Sequence, residues 1–227
     1  MTVRSVPDAD VYRPPPDTGL EVLHVEAAFV VLAKPPGLLS EPGRGPDKRD
    51  SLLVRAQAAW PDARIVHRLD MMTSGVIVLA RETLAHASLS EAFRERQVDK
   101  RYEALVHGRP ASDEGAIDLP LAVDWPNRPR QVVCRDTGKP SLTHYRVVGA
   151  AQVDGVGALT RIALAPVTGR THQLRVHLAS LGCPIAGDPF YGSAGDTAPR
   201  MMLHACRLAF AHPISGAPLV FESRVPF

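Results

Sequence analysis

The sequence predicts an α/β chain of the α+β type, a single domain with a mixed, mainly antiparallel central sheet flanked by helices and loops, and three observations predict it. Compact β-branched runs of strand length recur along the chain. Between Arg101 and about Ala165, short apolar segments alternate with turns rich in Gly, Pro and Asp, the habit of antiparallel strands. Helical spacing of apolar residues appears in only a few places, with neither strict βαβ alternation nor an internal repeat.

Taken in order, residues 1 to 19 are polar and proline-rich and read as an extended arm, with the packed domain occupying residues 20 to 227. Two apolar runs from Glu21 to Lys34, broken at Glu26-Ala27, suggest paired strands ended by Pro35-Pro36-Gly37. Ser51 can cap a helix carrying Leu52, Leu53, Ala56 and Ala59, which Pro61 ends. Val76 to Ala80 is a buried strand, and Thr83 offers a cap for a helix with Leu84, Ala87, Leu89 and Phe93. Strands are then expected at Tyr102 to His107, Thr143 to Val148 and Leu159 to Ala165. After Thr171, the spacing of Leu174, Leu178 and Leu181 marks a helix ended by Gly182 and Pro184. Two further strands, Met201 to Phe210 and Leu219 to Glu222, complete the set.

Composition excludes several classes. Apolar residues make up 45% and charged residues 22%, ordinary globular values, and the formal net charge of +2 does not announce a nucleic-acid binder, so local clusters must carry that argument. Three scattered cysteines form no C-x-x-C pair and fit a reduced, cytoplasmic setting. The proline-rich start is no signal peptide, and no apolar run is long enough for a membrane span. His172 and His177 lack the H-E-x-x-H pattern, and there is no phosphate-binding glycine loop. No metal, no nucleotide and no other cofactor are expected.

One polar loop stands out. His67-Arg68-Leu69-Asp70, followed by Thr73-Ser74-Gly75, lies between a helix and a buried strand, where rigid elements commonly hold catalytic groups. Alone, it would read as a surface ion pair with a turn-capping Asp. Its company is Thr168 to His177, in which His172 and Arg175 are three apart and share a face. A bidentate Arg175 could hold the Asp70 carboxylate ionised and in place. Tyr102, one of four tyrosines, would by burial habits alone be a half-buried strand residue. Arg94, Arg96, Lys100 and Arg101 form one basic cluster; Arg128, Arg130, Arg135 and Lys139 form a second with fewer interspersed acids.

The loop from His67 to Gly75 resembles the signature of the RluA family of pseudouridine synthases, and other motifs match in order: Lys34-Pro35-Pro36-Gly37, Lys100-Arg101-Tyr102, Thr168 to His177, and Gly187-Asp188-Pro189-Phe190-Tyr191-Gly192. The likeness covers roughly Val22 to Phe227. Met72 departs from it, where a smaller residue is usual, with a consequence for packing behind the loop only. The resemblance implies the pseudouridine synthase fold and a cofactor-free isomerase that converts uridine to pseudouridine in RNA. Asp70, Tyr102 and Arg175 would be the catalytic residues. Asp70 would attack C1′ or remove the C2′ proton, both routes remaining open. Tyr102 would stack on the flipped uracil near C5, and Arg68 would fill the space the base leaves.

His67, Thr73, Arg128, Arg130, Lys139, Arg170 and His172 would join Arg68 in binding RNA. The stretch before the domain is too short for the S4 RNA-binding domain that many relatives carry. Asp118 to Leu121, Asp124-Trp125-Pro126-Asn127-Arg128-Pro129 and Gly138-Lys139-Pro140 resemble the RluA subgroup itself, which implies a tRNA anticodon stem-loop and a hairpin of 23S rRNA as partners, with the enzyme a monomer. Two other classes compete. A non-catalytic RNA-binding or ribosome-assembly protein would be favoured by loss of Asp70, Tyr102 or Arg175, and a metal-dependent nuclease would need a carboxylate cluster around Asp70 that is not evident.

Overall fold

The computed structural model describes residues 12 to 227, so the first eleven residues of the expected arm lie outside it. Residues 12 to 20 have no regular structure and lie against the domain: the Leu39 N–H donates to the Tyr12 hydroxyl at 3.0 Å, and Arg55 donates to the Pro15 carbonyl at 2.6 Å.

The chain then forms strands β1 (Glu21–Val25) and β2 (Phe29–Lys34), helix α1 (Leu52–Ala59), strands β3 (Arg64–Ile65) and β4 (Ser74–Ala80), helix α2 (Thr83–Arg94), and strands β5 (Asp99–Val106), β6 (Glu114–Asp118), β7 (Leu121–Val123), β8 (Gln131–Val133), β9 (Leu142–Val153) and β10 (Gly157–Pro166). Helix α3 (Gln173–Ser180) and strands β11 (Leu203–Ala211) and β12 (Pro218–Glu222) follow. The main sheet runs β1-β2-β4-β11-β5-β10-β9-β6, with β12 on β11 and β3 on β4, while β7 and β8 form a separate two-stranded hairpin. Every described pairing is antiparallel except β4 with β11, which agrees with the expected mixed, mainly antiparallel sheet.

The apolar runs of β2 and β4 are continuous because both their faces are covered. Phe29, Val31, Val76 and Val78 pack with Ala85 and Leu89 of α2. Their neighbours Val30, Leu32, Ile77 and Leu79 point the other way, into Leu52 and Ala56 of α1 and Leu69. Leu69 thereby nails the loop that follows β3 to the core. Ser51 caps α1 as expected, accepting from the Val54 N–H at 3.3 Å.

Two helix starts differ from the sequence expectation. Helix α2 begins at Thr83 with Glu82 as its cap residue; the Thr83 hydroxyl instead accepts from Arg64 at 2.9 Å. Helix α3 begins at Gln173, after His172 in a left-handed conformation (φ 54°). No side chain caps α3; the Gln173 side chain instead folds back on the preceding loop, its Oε1 accepting from the Arg170 N–H at 2.9 Å and from the Thr168 hydroxyl at 2.7 Å. Nor is α3 a surface helix with one apolar stripe. Gln173, Arg175 and His177 are as buried as Leu174 and Leu178, whereas Leu181 is 38% exposed.

A polar chain makes that burial tolerable. Gln173 Nε2 donates to the Thr143 hydroxyl at 3.0 Å, which leaves that hydroxyl free to donate to His177 Nδ1 at 2.9 Å and puts the ring proton on Nε2, which donates to the Leu119 carbonyl at 3.1 Å. Helix α3 is thus tied to β9 and to the segment leading into the β7–β8 hairpin.

Candidate active site

The loop 66–73 carries Asp70 to the end of β4, beside the one parallel pairing of the sheet. The backbones of β4 and β11 come so close there that a Cβ on Gly75 (φ 115°) would lie 2.1 Å from the Ala205 carbonyl oxygen. Only glycine fits, which accounts for the Gly that ends the loop motif.

The backbone on both sides of Asp70 is clamped by residues 34–40. The Ser40 hydroxyl donates to the Leu69 carbonyl at 2.7 Å and accepts the Leu69 N–H at 3.1 Å. The Met71 carbonyl accepts from the Gly37 N–H and from Lys34 Nζ, each at 2.9 Å. The Lys34 ammonium, 1% exposed at the residue level, also donates to the carbonyls of Leu38 at 2.7 Å and Pro35 at 2.9 Å. Burial pulls its pKa down to about 7 against the opposing attraction of Asp70. The Asp70 carbonyl closes a turn by accepting the Thr73 N–H at 3.0 Å. With its backbone fixed, the Asp70 side chain faces a cleft of about 490 Å³ lined also by Arg68, Tyr102, Arg170, His172 and Arg175.

Arg175 corrects one expectation. Its bidentate partner is Asp188, whose oxygens accept from Nε at 2.7 Å and Nη2 at 2.8 Å. Asp70 receives only the remaining Nη1, at 3.3 Å. The geometry is sensible physically: a fully buried guanidinium needs a buried counter-charge, and Asp188 also accepts the backbone N–H groups of Phe190 and Tyr191 at 2.9 and 3.1 Å. Burial alone would lower the Arg175 pKa, but the Asp188 hydrogen bonds and charge more than reverse it. The third donor is left for the half-buried Asp70.

Tyr102, on β5, faces the same cleft. Burial first, and then the nearby Asp70 charge, raise its pKa, so its hydroxyl keeps its proton at neutral pH. His172 Nε2 lies 4.0 Å from the Asp70 carboxylate. Arg68 is largely exposed and pairs with Glu41 at 2.6 Å, and Met72 packs behind the loop against the core.

The other expected RNA-binding residues divide. Arg170 lies on the cleft. His67 does not: its ring stacks on Phe93 at 4.2 Å between centroids, and its Nε2 accepts the Val78 N–H at 3.1 Å, so it is spent on holding the loop. Thr73 is largely buried and serves the turn through its backbone, but it also contributes to the cleft wall beside Asp70. Arg94 and Arg101 of the first basic cluster are engaged with Glu91, Glu95 and Asp99, and Lys100 alone of that cluster lines the cleft. Arg128, Arg130 and Lys139 belong to the hairpin region, where Arg128 stacks on Trp125 at 4.5 Å and Arg130 on Tyr191 at 5.3 Å.

Sequence reasoning did not single out Asp188, Tyr191, Ser40 or Glu41. The only signal was the motif Gly187 to Gly192, which supplies the first two. Among the described residues no group of three or more His, Cys, Asp or Glu could hold a metal ion, and no helix is long and apolar enough to cross a membrane.

Burial holds several rings neutral: the pKa of His172 is lowered to about 4, partly opposed by Asp70, that of His204 to about 4, with Arg200 adding to the effect, and that of His67 to about 3, with Lys100 adding. As pH falls from the ordinary value of 6.5 toward 4, the unfolded chain binds protons that the folded chain refuses. Stability therefore falls over that window. Thermal melts at pH 7 and pH 5 should show a lower midpoint at pH 5, and equal midpoints would contradict the buried neutral rings.

Comparison with known proteins agrees with the geometry. A family model described as RNA pseudouridylate synthase matches residues 28–180. The Dual-specificity RNA pseudouridine synthase RluA of Escherichia coli (strain K12) is 48% identical over 95% of this chain and 98% of its own length, and the protein of that name from Yersinia pestis is 49% identical over 91% and 99%. Among solved structures, Human RNA Pseudouridylate Synthase Domain Containing 1 superposes with a TM-score of 0.78 at 29% identity, covering 95% of this chain and 87% of that one. Human RNA Pseudouridylate Synthase Domain Containing 4 gives 0.70 at 28%, covering 91% and 88%. The clamped carboxylate loop, the buried arginine behind it and these similarities together make the chain a member of the RluA group of RNA pseudouridine synthases, isomerases that convert uridine to pseudouridine.

Proposed function

We propose that this enzyme isomerises a uridine in a tRNA anticodon stem-loop and another in a hairpin of 23S rRNA, in the cytoplasm, acting as a monomer. The observation that carries the chemical reading is the single cleft shared by Asp70, Tyr102 and Arg175. The reaction breaks the uracil N1–C1′ bond, forms a C5–C1′ bond, and exchanges a proton at C5 for one at N1, so nothing is oxidised and nothing external is consumed. Asp70 acts at the sugar, as nucleophile at C1′ or base at C2′, with Arg175 keeping it oriented. Tyr102 stacks on the extruded uracil and sits near the proton that leaves C5. Arg68 enters the vacated space in the RNA, exchanging Glu41 for neighbouring bases.

Two substrates recognised by one domain imply reading of a folded loop shape, with Arg128, Arg130, Lys139 and Arg170 on phosphates. Trp125, 66% exposed beside Arg128, is suited to stack on an unpaired base. The direct test is release of tritium from C5-labelled uridine in both RNAs; folded protein that releases it from neither refutes the assignment. Trp125→Ala should weaken RNA binding about 5- to 100-fold, as loss of one stacked base does, without lowering the rate of bound substrate. An unchanged Kd in a filter-binding titration would remove Trp125 from the interface.

A further inference from the structure

His172 is held in an unusual way. It is one of two described non-glycine residues at positive φ, and that backbone, costly for a side chain with a Cβ, swings its ring between Tyr191 and Asp70. Its Nδ1 is 2.8 Å from the Tyr191 hydroxyl. That hydroxyl already accepts the Gln131 N–H, from the start of β8, at 2.7 Å. Its single proton therefore goes to His172 Nδ1, the other partner it has among the described residues. The ring proton must then sit on Nε2, which faces the Asp70 carboxylate. The reverse tautomer would aim a ring lone pair at a carboxylate oxygen and leave the tyrosine proton without an acceptor. At 4.0 Å the pair is too far apart for a direct hydrogen bond, yet a substrate oxygen can sit about 2.8 Å from both.

We propose that His172 donates its Nε2–H to a substrate oxygen seated against Asp70, and that Tyr191, itself held by Gln131 of the β7–β8 hairpin, is a positioning residue that fixes this tautomer. The inference rests on the reading of Asp70 as the reacting carboxylate. It gives the hairpin a second role, because a shift of Gln131 on RNA docking is passed through Tyr191 to the orientation of a donor in the cleft. The low pKa of the ring agrees with a neutral donor at physiological pH.

Long-range proton–nitrogen NMR of the full-length protein at pH 7 reads the tautomer directly, with His172→Gln used to assign the signal. Wild type should carry the proton on Nε2, and Tyr191→Phe should show a mixture of tautomers. In single-turnover reactions on an anticodon stem-loop, His172→Ala should slow isomerisation about 100-fold, the loss typical of one preorganised donor. RNA affinity should change less than about 3-fold, and His172→Gln, whose amide nitrogen can reach the same position, should recover about 10-fold of the rate. An active enzyme whose wild-type ring is protonated on Nδ1, or in which His172→Ala reacts at the wild-type rate, overturns this inference alone. Wild type that forms no pseudouridine overturns the parent reading and the donor role with it.

Discussion

Asp70→Asn is expected to abolish pseudouridine formation while leaving RNA binding within about 3-fold of wild type. The amide has nearly the shape of the carboxylate, so the loop clamped by Lys34, Gly37 and Ser40 has no reason to move. What it lacks is the negative charge that either attacks C1′ or takes the C2′ proton. Removing a general base typically costs about 10²- to 10⁴-fold in rate, and removing a nucleophile up to about 10⁶-fold. The measurement is tritium release under single-turnover conditions beside a gel-shift titration on the same RNA. Residual activity within 100-fold of wild type would mean that Asp70 is not the reacting group.

Arg175→Met should damage stability and activity together, for different reasons. Three donors are lost at once, and the most serious loss is at Asp188, fully buried at its side chain, which would keep two backbone N–H partners but no counter-charge. Breaking a buried pair from one side costs about 3–5 kcal/mol. In a chain of this size that is a fall of roughly 6–20 °C in Tm. Asp188→Leu alone should destabilise at least as much, since the guanidinium then keeps only Asp70, at 3.3 Å, and the Phe190 and Tyr191 N–H groups lose their acceptor. The double replacement Arg175→Met, Asp188→Leu should recover part of the stability and none of the activity, because Asp70 still lacks its donor. Urea melts of the three variants form the cycle, and additive losses across it would show that the two residues do not act as a pair.

Much of this was legible in the sequence where the cause is local. The apolar runs of β2 and β4 are continuous because both faces are covered, and Ser51 and Pro61 bound α1 through capping chemistry that works within a few residues. The cleft's Asp70, Arg68, Tyr102, Arg170, His172 and Arg175 were legible as a group because several motifs in order carry more information than any one of them. What escaped is long-range. Nothing in the period of α3 says that Gln173, Arg175 and His177 are buried, since their partners Thr143, Asp188 and Leu119 lie 13 to 58 residues away. Lys34 reads as the polar end of a strand and proves to be the clamp on Met71, 37 residues on. Arg175 was matched with the right cleft and the wrong fork, because a local pattern cannot tell which of two carboxylates will be the more deeply buried.

The contacts around Asp70 join positions far apart in the chain: Ser40 to Leu69, Lys34 to Met71, and Arg175 to Asp70 across 105 residues. Contacts of such separation carry a large loop-closure cost and are rewarded only once the intervening strands are in place. Catalysis is therefore a property of the completed chain topology. During refolding, helical signal from α1 and α2 can return while the carboxylate still lacks its clamp and its arginine, and enzymatic turnover becomes the last observable to recover.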